Sequence, residues 1–235
     1  MNEHISSAYD RDLEELITLI MRMGGLVEEA ILDSAKSLEA QDIELAEQVR
    51  AKDKVIDALE VEINDAATRI IALRAPVSKD LRAILTGLRL AASLERIGDY
   101  SKNIAKRTSA LIGMPEHAGS NASLRRMSRE VQSMLRDVLD AYIRRDPAIA
   151  EDVRQRDQEV DQMYNALFRE FLTFMMEDPR QITACMHLHF MAKNIERMGD
   201  LTTNMAEQVI YLVTGEMPEE ARPKSDRTSY LSSLD

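Results

Sequence analysis

The chain has 235 residues, room for one large domain or two small ones, and its net charge of −11 argues against a nucleic-acid partner, because neutralising phosphate is the main source of that affinity. A 45% hydrophobic share with no Trp, 8 Gly, 6 Pro and 14 Met reads as a nearly all-helical chain. The lone cysteine, Cys185, excludes an internal disulfide, and the start lacks the basic and apolar pattern of a signal peptide. No apolar run approaches the ~18 residues of a membrane span, so a cytoplasmic protein without membrane insertion is expected.

From about Ser7, apolar residues including Leu13, Leu16, Ile20, Met23, Val27, Ile31 and Leu38 recur at three- and four-residue steps, which predicts the first helix. Asp42 can cap a second, whose stripe runs through Val49, Ile56, Leu59, Ile63 and Ile70 until Pro76 stops it. Ser78 is the expected cap of the third, with Leu81, Ile84, Leu85 and Leu88 leading to Glu95 and Asp99. The run between Ile112 and Ser123 breaks the pattern and reads as a linker. Helix four is expected from Leu124 to Tyr142, helix five after Asp146-Pro147, and helix six after Asp178-Pro179. Residues 216–235 form a polar tail with two prolines, expected to be loosely ordered.

The halves repeat. Glu95-Arg96-Ile97-Gly98-Asp99 with Asn103 returns 101 residues later as Glu196-Arg197-Met198-Gly199-Asp200 with Asn204. Asp42, Val49, Asp53 and Asp57 match Asp146, Val153, Asp157 and Asp161 at an offset of 104. The expected architecture is therefore all-α: two tandem pseudo-symmetric three-helix bundles of six long antiparallel helices, over 1–113 and 121–215.

On a helix, Glu95 and Asp99 stack about 6 Å apart along the axis, and Asn103 continues that face one turn on. Asp53 and Asp57 make the same step on the neighbouring helix, so two acidic columns can face each other in each half. Each like-charged pair ~6 Å apart would repel by about 3 kcal/mol at an effective dielectric near 20, so convergence calls for bound cations or protons. All-oxygen donors favour hard ions such as Mg, Mn, Ca or iron over Zn. Otherwise the acids lie on a solvated face, partly neutralised by Lys54, Arg96, Lys102 and Arg197. Gly98 and Gly199 would permit a close backbone approach. His189 shares the face of Glu196, but its counterpart is Leu88, which favours a packed ring. No Glu-x-x-His, Walker loop, nucleophile elbow, His-Glu-x-x-His or cysteine pair occurs, so the chain does not read as an enzyme. Two rivals stand beside that reading: a phosphohydrolase using clustered carboxylates with two ions, and a metal-free helical scaffold.

Pro76-Val77-Ser78-Lys79-Asp80-Leu81-Arg82, together with the two Glu-Arg-x-Gly-Asp blocks and Asn103-Ile104-Ala105, resembles the PhoU family of phosphate-specific transport system accessory proteins over nearly the full length. That resemblance implies a homodimeric, metal-binding negative regulator of the phosphate-starvation response. It would couple the ATPase subunit of a phosphate ABC transporter to a sensor histidine kinase. The implied metal ligands are Asp53, Asp57, Glu95 and Asp99, then Asp157, Asp161, Glu196 and Asp200, with Asn103 and Asn204 as weaker candidates. The implied cofactors are divalent or trivalent ions, among them iron, manganese, magnesium and zinc. Gln181-Ile182-Thr183 stands where the first half has Asp80-Leu81-Arg82, so roles of that charged pair need not carry over.

Overall fold

The computed structural model describes residues 2–114 and 118–218, with side chains from Tyr9 onward apart from Ala118. Its six long helices are α1 (Asn2–Glu39), α2 (Ile43–Arg74), α3 (Lys79–Leu111), α4 (Ala118–Arg144), α5 (Pro147–Glu177) and α6 (Ile182–Thr214). A 3-10 turn, Pro179–Gln181, precedes α6. Residues 219–235, most of the expected tail, lie outside the described residues.

Most helix ends follow the local chemistry. Asp42 accepts a hydrogen bond from the Leu45 N–H at 2.9 Å, a cap worth about 1 kcal/mol. Asp146 accepts from the Ala148 and Ile149 N–H groups, with Pro147 opening the helix. The α2 helix closes on Ala75 in the left-handed region, just before Pro76. Three expectations fail. Ser78 stands at the start of α3 with φ +54°, and its side chain makes no capping bond; its carbonyl instead accepts the Arg82 N–H. A capping hydroxyl requires extended backbone, which this φ excludes. Helix four begins at Ala118 rather than Leu124, because Ser120 donates to Glu170 of α5 at 2.7 Å and Asn121 is buried, so tertiary contacts draw the polar stretch into the helix. Helix α1 likewise starts at Asn2, ahead of Ser7.

Within the first half α1, α2 and α3 pack together, and α4, α5 and α6 do so in the second. The halves join through α1 on α4 and α3 on α6. A Cβ built on Gly24 would lie 2.5 Å from Leu139 Cδ1, so α1 and α4 meet closely there. The α3 and α6 helices run antiparallel: Arg82 donates to the Tyr211 carbonyl, Arg89 to Gln208, and Arg107 lies 3.3 Å from His187 Nδ1. Arg82 also sits over the Tyr211 ring, work that Thr183 cannot do in the other half. One apolar cluster runs through both bundles, from Ile20 and Met23 on α1 through Leu94 on α3 to Leu135 and Leu139 on α4 and Met191 on α6. The two repeats therefore share a core.

Leu139→Ala should lower unfolding free energy by about 2–5 kcal/mol, and urea unfolding followed by circular dichroism should remain one transition. Two separated transitions would show that the halves unfold independently.

Candidate functional site

In the first half the acids gather where α3 crosses α2 at Gly98. A Cβ at Gly98 would lie 3.2 Å from Ile56 Cδ1 and 3.8 Å from Asp53 Oδ1, so the missing side chain eases the fit of Ile56, with Asp53 at ordinary contact distance. Asp53 is 3% exposed, and its Oδ1 is buried without a hydrogen-bond partner. Its other oxygen, Oδ2, lies 2.5 Å from Lys102 Nζ, which also reaches Asp99 Oδ1 at 3.2 Å. Lys102 thus bridges carboxylates from two helices. Burial pushes the Asp53 carboxyl above its ordinary pKa, opposed by Lys102 and aided by Asp57 and Asp99. Burial also raises Glu95, and repulsion from Asp99, Glu60, Asp57 and Asp53 adds to it. The Lys102 ammonium is raised in turn, chiefly by its hydrogen bond to Asp53. Glu95 and Asp99 are partly exposed, while Asp57 and Asn103 are exposed.

The second half repeats this crossing and buries it more deeply. A Cβ at Gly199 would meet Val160 Cγ1 at 3.3 Å and Asp157 Oδ1 at 3.4 Å. Asp157, Asp161 and Glu196 are 2%, 4% and 5% exposed, Asp200 is half-buried and Asn204 is exposed. All four acids have electrostatic or hydrogen-bonding partners. Lys193 Nζ donates to Glu196 Oε1 at 2.9 Å and sits 4.9 Å from the centre of the Tyr164 ring. Position 193 corresponds to Ala92, so matching the two repeats gives no hint of this lysine.

Of the four expected neutralising side chains, Lys102 makes the ion pairs, whereas Lys54, Arg96 and Arg197 are exposed. His189 packs among Tyr164, Phe168 and Phe190, as expected of a core ring, and burial beside Lys193 lowers its pKa. Sequence reasoning passed over two arginines of α5. Arg154, 4% exposed, pairs with Glu151 at 2.7 Å and lies 3.6 Å from Glu207 of α6. Arg156 pairs with Glu130 and Asp137 of α4. Glu130, Asp137 and Asp152 all stand within an ion pair's reach of it, but only the folded bundle shows that they meet one cation.

Among the described residues, no three Asp, Glu, His or Cys side chains stand in a group that would hold one metal ion. The oxygen donors suit a hard cation chemically. In the first face the ammonium of Lys102 already sits between two of them, Asp53 and Asp99.

These features define a class: an all-helical tandem repeat whose halves each press an acidic helix pair together at a glycine. The PhoU domain family matches residues 20–108 and 124–209. The chain is 46% identical over 98% of its length to the phosphate-specific transport system accessory protein PhoU homolog of Rhizobium meliloti, covering 98% of that protein. Against the like-named protein of Zymomonas mobilis it is 48% identical, over 94% of this chain and 93% of the other. The crystal structure of PhoU from Pseudomonas aeruginosa superposes with a TM-score of 0.85 at 38% identity, covering 88% of this chain and 100% of that one. PhoU from Streptococcus pneumoniae, a phosphate transport system regulatory protein, gives 0.83 at 30% identity, over 90% of this chain and all of the other. The chain belongs to the PhoU family.

Gly98→Val should cost about 1–3 kcal/mol through contact with Ile56 and Asp53. Gly25→Ala, where nothing lies within 4 Å, should gain up to about 1 kcal/mol of helix propensity. Thermal melts compare them, and equal effects would show that the crossing has slack. A raised carboxyl pKa makes the folded state take up a proton more readily than the unfolded one. Stability from Glu95 therefore falls as pH rises through the interval between those values, and stays lower at neutral pH. In chelator-treated protein, Glu95→Gln should raise Tm at pH 7, with the difference vanishing below the ordinary carboxylate range. A lower Tm at pH 7 would mean that the Glu95 charge is net stabilising.

Proposed function

We propose that this chain is an accessory regulator of phosphate transport, acting in the cytoplasm as a negative regulator of the phosphate-starvation response. In this reading it works as a homodimer and couples the ATPase subunit of a phosphate ABC transporter to a sensor histidine kinase. With phosphate plentiful, it holds that kinase in its phosphatase-favouring state. The observation that carries the reading is the end-to-end match, 46% identity over 98% of both chains, to a protein named as an accessory protein of phosphate-specific transport.

The structure supports an adapter in two ways. A continuous core makes a stiff body, and exposed Leu172, Met176, Ile182, Met186 and Phe190 give α5 and α6 apolar surface of the kind that marks partner contacts. Among the described residues no helix is long and apolar enough to cross a membrane, so contact with a transporter would be made from outside the bilayer.

Both acidic faces are further proposed to take hard metal ions, with iron, manganese and magnesium better suited than zinc to oxygen donors. Asp53, Asp57, Glu95 and Asp99 would hold one site and Asp157, Asp161, Glu196 and Asp200 the other, with exposed Asn103 and Asn204 at the margins. A bound ion would supply positive charge to desolvated carboxylates that otherwise rely on lysine.

Deleting the gene should raise phosphate-starvation gene expression in phosphate-rich medium, and unchanged expression would sink the regulatory reading. Metal at a hundredfold its Kd should stabilise the fold by about 2.7 kcal/mol. Native protein should therefore carry metal by elemental analysis and melt lower after chelation; an unmoved melting curve with no metal found would leave the faces as ion-paired surface.

A further inference from the structure

Both acidic faces already contain a positive charge, and the repeats supply it from different places. In the first face it is Lys102, three residues after Asp99; in the second it is Lys193, three residues before Glu196. The position matching Lys102 is Thr203, whose hydroxyl donates to the Gly199 carbonyl, and the position matching Lys193 is Ala92. Two copies of one helix pair have kept the acids and the glycine while placing a lysine from non-equivalent positions. The shared fold dictates neither lysine, so what the faces have in common is the need for a cation.

We propose that Lys102 is the resident cation of the first face, and that a metal ion and its ammonium are alternative occupants of the space between Asp53 and Asp99. This rests on the reading of the faces as metal sites. Lys102 Nζ is 2.5 Å from Asp53 Oδ2 and 3.2 Å from Asp99 Oδ1. A hard ion held by the same two carboxylates would need the space the ammonium fills. Two cations cannot share it. The side chain of Lys102 is 40% exposed and its four-carbon stem is flexible, so it can swing into water without disturbing either helix. Asp53 cannot follow: it is buried against Gly98, with Oδ1 lacking a hydrogen bond even while Lys102 holds Oδ2. The acid stays and the cation exchanges.

The test compares Lys102→Met and Lys102→Arg with the parent, all carrying Glu196→Gln and Asp200→Asn so that the second face is weakened equally in each and differences among the three report on the first. In EDTA, Lys102→Met should melt about 4–8 °C lower, since it strands a buried carboxylate, whereas Lys102→Arg should melt near the parent. Added manganese(II) should restore the Met variant. Calorimetric titration should show it binding manganese(II) on the order of tenfold more tightly than the parent, with the Arg variant no tighter. Equal affinities in the parent and the Met variant would overturn the exchange while leaving the metal reading standing. A lower melting point in EDTA with no manganese bound by either protein would overturn both, leaving Lys102 as a plain ion-pair partner. Unchanged melting of the Met variant in EDTA would overturn its role as resident cation.

Discussion

A carboxylate buried against a glycine is the constraint on which both halves turn. Asp53 lies beside Gly98 and Asp157 beside Gly199, each where a Cβ on the glycine would sit tightly against an apolar side chain of the facing helix. Close approach removes water from the acid, and a desolvated carboxylate must be protonated, paired or bound to a cation. The rise in the Asp53 pKa, led by burial and resisted by Lys102, shows both forces acting on one group. The glycine, the neighbouring acids and the lysine are thus parts of a single electrostatic arrangement, and changing one alters what the others must do.

The repeats show which parts are obligatory. Ile56 and Val160, the apolar contacts of the two glycines, stand in matching positions, as do the buried aspartates. Arg50 and Arg154 also correspond, yet Arg50 is exposed in an ion pair with Glu47 while Arg154 is buried toward Glu207. Arg82 reaches the Tyr211 carbonyl and fills the space beside Gly215, whereas Thr183 in its place is exposed. At these two positions the repeats diverge: the Arg154 pair belongs to the second half alone, and the Arg82 contact that ties one bundle to the other has no counterpart from Thr183.

Periodicity made the six helices legible, because the apolar stripes of long amphipathic helices fix which face is buried. Asp42 and Asp146 could be read as caps because a carboxylate before an apolar repeat has one low-energy use. Ser78 could not, since the left-handed backbone forced on the segment after Pro76 cannot be seen in residue types. Nor could the early start of α4, where Ser120 and Asn121 read as loop until Glu170 is brought beside them by the folded bundle. At the acidic faces the spacing of Glu95, Asp99, Glu196 and Asp200 showed which carboxylates share a column, but not their counter-charges. Lys102 was one of four candidate cations, and Lys193 acts across the α5–α6 pair from a position its repeat partner leaves as alanine.

The shared core bears on how such faces could signal. Helix α3 packs on α1, α2 and α6 at once, so the side that carries Gly98 is backed by close-packed side chains on the others. Interiors of that density resist small displacements, and a charge change at the acidic face has little freedom to become a helix movement. What it can change is the potential at the surface, because Lys102 is partly exposed and Asp57 and Asp99 border it. Exchanging a tethered monovalent ammonium for a divalent or trivalent ion, with the lysine released outward, would make this part of a strongly acidic protein more positive while the backbone stays in place. A docking partner would then distinguish the two states by charge, through a difference that acts over a Debye length of about 8 Å at physiological salt, and needs no shape change to be felt.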